Sequence, residues 1–350
     1  MKNNNKKLIA LLISAALSIS LAACGQTETT AETTSETTVA ETSTADTSAD
    51  ETTSAETTAA ETESAETTVS DSGVKTVPDR EGGTVEIKGE FNTIISGGPS
   101  VTEILIGLGM GDKIIAADLY SADAEGIDPS VCTLDFYNLS TEQLAEMSPD
   151  AIIVNSISTM GESDPYADLK AAGITILYVP SSDSIDAVKE DIRFLAACTN
   201  TEEKGEELIS DIESCVAEIS EKAAAITEKK SVYVEIGAAP YLYSCGNNTY
   251  INDILNIIGA ENIYAAEEGW LSNSEESVIA ADPDVILTTV QYEGYDYNEI
   301  KQRAGWDSLS AVKNDQVYQV NANNVSRPSH HVVKGIREIA ATVYPEVFGE

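Results

Sequence analysis

The sequence predicts an α/β fold with mainly parallel sheets, arranged as two Rossmann-like lobes joined by one long interlobe α-helix. Three observations carry that expectation. From Phe91 to Val343, short β-rich runs alternate with stretches of helical periodicity, as in a parallel sheet covered on both faces. Residues 201–229 contain no Pro and no Gly after Gly205, and they set Leu208, Ile212, Cys215, Ile219, Ala223 and Ile226 at helical spacing, too long for an ordinary crossover. A phrase also recurs: Leu144-Ala-Glu-Met-Ser-Pro-Asp150-Ala-Ile-Ile-Val154 and Val278-Ile-Ala-Ala-Asp-Pro-Asp284-Val-Ile-Leu287. Each reads as helix, Pro-Asp turn and buried strand, as two related lobes would.

In chain order, residues 1–23 come first. Lys2, Lys6 and Lys7 precede the apolar run Leu8 to Leu21, which is shorter than the ~20 residues that span a bilayer and describes a secretory signal. Leu21-Ala-Ala-Cys24 resembles the lipobox of bacterial lipoproteins. That resemblance implies cleavage before Cys24, a diacylglycerol on its sulfur and anchoring on the outer face of the bacterial cytoplasmic membrane, with a plain signal peptide as the alternative. After Cys24, the segment 24–73 is a tether of Thr, Glu, Ser and Ala with no Lys, Arg or aromatic residue. Such a segment cannot bury enough apolar surface to offset its chain entropy, so disorder is expected, extended by repulsion among its acids. It serves as a spacer, with or without a partner of its own.

The lobes are expected at 74–200 and 230–350, around the helix 201–229. In the first, Thr93–Ser96, Ile114–Ala117, Ala151–Asn155 and Ile174–Val179 read as buried strands. In the second, Ser231–Gly237, Val285–Thr289 and Gln316–Asn321 read as strands, with Arg327–Val343 as the closing helix. The chain's net charge of -39 makes nucleic acid and anionic membrane surfaces poor partners. Cys132, Cys198, Cys215 and Cys245 show no Cys-x-x-Cys spacing, which argues against structural zinc and leaves thiols and disulfides both open.

Ser96-Gly-Gly-Pro-Ser-Val-Thr-Glu103 lies between the first strand and its helix. Ser100 with Glu103 fits a capping box, and Gly97 and Gly98 let the backbone approach a ligand at the carboxyl end of a strand, where α/β sheets bind ligands, so that Gly97, Gly98, Pro99 and Ser100 are candidate binding residues. No Gly-Lys-Ser/Thr follows, so no nucleotide loop is implied. His330 and His331, the two histidines, adjoin at the start of the last helix; both are surface residues, or one faces a metal chelate or haem as an axial ligand. Aromatics gather where loops are expected, among them Tyr120, Tyr137, Tyr241, Trp270 and Tyr292, and would suit a bulky amphipathic ligand. No motif speaks for catalysis, and no direct metal site or covalent cofactor beyond the lipid is expected.

Ile94-Ile-Ser-Gly-Gly-Pro-Ser-Val-Thr-Glu-Ile-Leu-Ile-Gly-Leu-Gly109, Leu139 to Val154, Gly173 to Val179, Gly259-Ala-Glu-Asn-Ile263 and Val317-Tyr to Ser326-Arg-Pro328 recur in order over the folded part. Through them the chain resembles the class III periplasmic-type solute-binding proteins of iron-siderophore, haem and cobalamin ABC importers. The resemblance implies a monomer that holds its ligand between two rigid lobes and docks on an ABC permease, served by its ATPase, through one acidic residue per lobe. Glu162 fits the first docking role and Glu293 or Glu299 the second. Trp270 and Arg327 match positions that face the cleft, where Arg327 either pairs with a ligand carboxylate or anchors the helix start. The expected cargo is an iron chelate, haem or cobalamin; a secreted metal-dependent enzyme and a surface adhesin are the competing functions.

Overall fold

The computed structural model of the chain describes residues 67–70, 73–138, 140–155 and 164–349, so the signal segment, Cys24 and most of the tether lie outside the described residues. A small antiparallel sheet comes first, with β1 (Thr68–Val69), β2 (Lys75–Pro78) and β3 (Thr84–Ile87) in that order. The first lobe follows as β4 (Ile94–Gly97), α1 (Pro99–Gly107), β5 (Ile114–Asp118), β6 (Cys132–Leu134), α2 (Thr141–Glu146), β7 (Ala151–Asn155), α3 (Ala167–Ala171) and β8 (Thr175–Val179). Its sheet runs β6-β5-β4-β7-β8, all parallel. The apolar runs Ile94-Ile95 and Ile152-Ile153-Val154 are buried, as strands covered on both faces require.

Helices α4 (Ile185–Thr199) and α5 (Glu202–Ala223) lead to the second lobe. The left-handed Asn200 caps α4, and Lys75 of β2 binds the junction, donating to the Ala197 carbonyl (2.6 Å) and pairing with Glu202 (2.6 Å). Helix α5 stops at Ala223, short of the expected Lys229. The Ile226 amide folds back onto the Ala223 carbonyl (2.9 Å) and its side chain packs on the core, which turns the chain toward the next strand.

The second lobe contains β9 (Ser231–Glu235), β10 (Tyr243–Cys245), α6 (Tyr250–Ile257), β11 (Glu261–Asn262), β12 (Trp270–Ser272), α7 (Glu275–Ala281), β13 (Val285–Thr288), α8 (Ser310–Lys313) and β14 (Val317–Gln319). Short α9 (Ala322–Ser326), the closing α10 (Val332–Val343) and α11 (Pro345–Phe348) complete the chain. The main sheet is parallel in the order β11-β9-β13-β14, while β10 and β12 form an antiparallel pair. Helix α10 begins five residues later than the expected Arg327, because Arg327 is extended (φ -112°, ψ 106°).

The recurring Pro-Asp phrase has the same job in both lobes. The Asp150 carboxylate accepts from the Asn92 and Thr93 amides (2.8 and 2.9 Å) and the Thr93 hydroxyl (3.0 Å), at the entry to β4. The Asp284 carboxylate accepts from the Ser231 amide (2.9 Å) and hydroxyl (2.8 Å), at the entry to β9. One apolar core then joins the lobes: Ile94 and Ile192, Ile212 of α5, Val232 of β9 and Ile336 of α10 belong to a single buried cluster. The Ile185 amide at the head of α4 also donates to Asp253 of α6 (3.0 Å). All four described cysteines are free, Cys132 exposed and the others buried.

Candidate functional site

The carboxyl ends of β4 and β7, neighbours in the first sheet, carry Gly97-Gly98-Pro99 and Asn155. Strand order reverses about β4, and such a switch point leaves a crevice at the strand ends. Buried hydroxyls hold the turn: Ser96 and Thr102 lie 2.7 Å apart, Thr102 and Ser121 2.9 Å, and Thr102 also donates to the Gly98 carbonyl (3.0 Å). A Cβ on Gly97 would stand 2.9 Å from Phe136 Cε1 and 3.0 Å from the Ile153 carbonyl oxygen, so close packing accounts for this glycine.

Two adjoining hollows meet at Pro99 and Asn155. One, of about 160 Å³, lies within the first lobe against Asp118, Tyr120, Phe136 and Tyr137. The other, of about 300 Å³, is walled by both lobes. Pro99, Ser100, Asn155 and Ser182 line it from the first lobe, and Ile236, Tyr250 and Trp270 from the second; Arg327 and Pro328 close it. Trp270 sits edge-on to the buried Tyr250, ring centroids 5.8 Å apart, which leaves its indole half exposed to the cleft. A larger hollow of about 630 Å³ opens at the other end of the second sheet, beside Lys230, Asp284 and Glu346. It belongs to the amino ends of β9 and β13, away from the strand ends that bind ligands in such sheets.

Of the residues expected at the site, Gly97, Gly98, Pro99, Ser100, Tyr120, Tyr137, Trp270 and Arg327 line these two hollows. Tyr241 and Tyr292 stand outside their walls, exposed on loops that follow β9 and β13. Glu293 and Glu299 are exposed on the same side, after β13, while Glu162 lies outside the described residues. His330 packs on Gly107, at the far end of α1 from the cleft, and its Nδ1 is buried without a partner. Burial, with the neighbouring His331 adding to it, pushes the His330 imidazole down to about 4. Neither histidine lines the cleft hollows.

The capping box between Ser100 and Glu103 does not form. Helix α1 starts from Gly98 with Pro99 in its first turn, so Ser100 is already helical and Glu103 lies beyond the capping position. Glu103 is instead buried, 2% exposed, and faces the segment before α10. Arg327 donates to Glu103 (3.0 Å), to the Tyr120 carbonyl (2.9 Å) and to Asp123 (2.7 Å). Ser329 donates to Glu103 (2.5 Å), Asn323 donates to Asp123 (2.8 Å), and Lys334 pairs with Glu125. Burial raises the Glu103 carboxyl, but the bonds from His331, Ser329 and Arg327 outweigh it and hold it below the usual range. Arg327 is thus a clasp between the lobes whose guanidinium is already matched by two carboxylates, and its stem forms part of the cleft wall.

Asp118, Asn155, Ser182 and Tyr250 join the wall without having been singled out from the sequence. Asp118 and Asn155 each end a buried strand, and a polar residue closing an apolar run was the available signal. Ser182 is held from behind, donating to the buried Asp191, which also accepts from Arg80 (2.6 Å).

A family model described as "Periplasmic binding protein" matches residues 94–323. The chain is 32% identical over 280 residues to an uncharacterized ABC transporter substrate-binding lipoprotein, YvrC, of Bacillus subtilis (strain 168), covering 79% of this chain and 87% of the relative. It is 26% identical over 251 residues to a vitamin B12-binding protein of Vibrio cholerae serotype O1, covering 70% and 87%. Among solved structures, a possible iron-binding (periplasmic solute-binding) protein from Staphylococcus epidermidis ATCC 12228 superposes with a TM-score of 0.65 at 30% identity, covering 73% of this chain and 100% of that one.

Proposed function

Because the chain belongs to the periplasmic binding protein family, as an ABC transporter substrate-binding protein and not an enzyme, we propose that its cleft captures a metal chelate, an iron complex or cobalamin, for delivery to a membrane permease. The observation that supports this reading is the placement of exposed aromatics: Tyr120 and Tyr137 line the first-lobe hollow and Trp270 the adjoining one between the lobes, with Tyr241 and Tyr292 on loops that follow β9 and β13. Broad rings with a polar edge suit a large chelate with an apolar face. The clasp at Arg327 and the shared core favour lobes that grip the ligand with little hinge motion.

Cys24 carries the lipid in this reading and keeps the receptor at the outer face of the cytoplasmic membrane. The tether raises the concentration of captured ligand near the permease and its ATPase. Glu162 on one lobe, with Glu293 or Glu299 on the other, meets permease arginines. The test is a thermal melt of the full chain in detergent with ferric siderophores, haemin and cobalamin. A ligand at a hundred times its Kd should add about 2.7 kcal/mol. A melt unmoved by the whole panel counts against the reading.

A further inference from the structure

Charge around the cleft narrows the cargo, an inference that rests on the metal-chelate reading above. In the first lobe, the described loops that follow its strands, residues 119–131, 135–138 and 180–184, contain no Lys, Arg or His. The same holds in the second lobe for residues 236–242, 263–269 and 289–296. Acids are present instead, including Asp118, Asp123, Asp135, Asp183 and Glu293.

Cations that reach these loops are matched to acids, Lys334 to the exposed Glu125, and Arg327 and Arg303 each to a buried glutamate. Arg327 holds Glu103 and Asp123, one guanidinium against two carboxylates. Arg303 holds the fully buried Glu235 at the end of β9 through both its terminal nitrogens, one of them at 3.0 Å, while Tyr295 donates to the same carboxylate (3.0 Å). Arg303 also lies over the Trp306 ring, 4.6 Å from its centroid, and so turns into the second lobe. The amino end of α1 supplies about half a positive charge, a fraction of what a multivalent anion carries. An anion taken into this half-closed space would lose water, gain no unmatched cation and face Asp118.

We propose that the cleft takes an uncharged or cationic metal chelate with an amide or hydroxamate periphery, and rejects chelates that present carboxylate or catecholate charge. Polar groups at the cleft, among them the backbone of the Gly98-Pro99-Ser100 turn, which has no N–H at Pro99, and the exposed Ser181, are of the kind that amide edges pair with. Trp270 and Tyr137 cover the apolar faces.

Calorimetric titration of the full chain in detergent tests this with four probes: cyanocobalamin, cationic ferrioxamine B, haemin with its propionates, and the tris-catecholate anion ferric enterobactin. The expected result is that cyanocobalamin or ferrioxamine B binds at least about 100-fold more tightly than either anion, about 2.7 kcal/mol. Preference between the first two tells a corrinoid from a hydroxamate source, and either preference supports the proposal. Haemin or ferric enterobactin binding as tightly as the others overturns it and leaves the chelate-carrier reading standing. If none of the four binds, that reading falls and this inference falls with it.

Discussion

Arg327→Met keeps the apolar stem of the side chain and deletes its bonds to Glu103, Tyr120 and Asp123. The Asp123 carboxylate is 64% exposed, so its pair contributes under about 1 kcal/mol. Glu103 is different: its side chain is 2% exposed, and without the guanidinium it is a buried carboxylate left with the Ser329 hydroxyl and the His331 imidazole 3.5 Å away. Breaking such a pair costs about 3–5 kcal/mol, and the bond that Ser329 still donates puts the expectation at the lower end, about 3 kcal/mol. Urea unfolding followed by circular dichroism measures it, with an unchanged slope showing that the unfolded chain is the same. Adding Glu103→Gln to Arg327→Met should recover about 1–2 kcal/mol, since an amide needs no countercharge. A stability within about 0.5 kcal/mol of wild type, together with a large loss of ligand affinity, would refute the clasp and assign the guanidinium to the ligand.

Three further outcomes are expected. The His330 imidazole, lowered to about 4, folds neutral; its contribution is whole above about pH 6.5 and fades as pH falls toward 4, by up to about 3 kcal/mol, a slope that His330→Leu should abolish in urea unfolding over that range. Glu103, also lowered, loses its contribution only as pH drops below the usual glutamate range, so the two losses separate along the pH axis. Asp150→Ala and Asp284→Ala should each cost about 1–2 kcal/mol by chemical unfolding, because each carboxylate holds the entry of a central strand, and unequal roles would show as one substitution being silent. Cys24→Ser should move the protein from the detergent phase to the aqueous phase on Triton partition; no change would remove the lipid anchor from the account.

The parallel sheets were legible because Ile94-Ile95, Ile152-Ile153-Val154 and Val285-Ile286-Leu287 are continuous apolar runs, which only strands covered on both faces require. The Pro-Asp repeat was legible for a reason that the hydrogen bonds explain: the same carboxylate secures the same strand entry in each lobe. The antiparallel β1–β3 sheet and the β10–β12 pair left weak traces, since their strands are two to four residues long and β2 and β3 bury one residue each, Val77 and Ile87. At the site, the Gly-Gly-Pro turn could be placed from local rules alone. Arg327 could not be assigned, because its partner Glu103 lies 224 residues away, and the sequence showed only the local Ser100-to-Glu103 spacing that suggested a cap. The histidines stayed open for the same reason: their place before a helix is local, while the position of His330 against Gly107 is set by the fold.

Calorimetry of ligand binding to the wild type, Tyr137→Ala and Trp270→Ala tests most directly whether the cargo sits between the lobes, since Tyr137 belongs to the first and Trp270 to the second. One-to-one binding that weakens about 10-fold or more in both variants, with unfolding midpoints unchanged, is the predicted result. Full affinity in both variants, or a loss confined to one lobe, would contradict it.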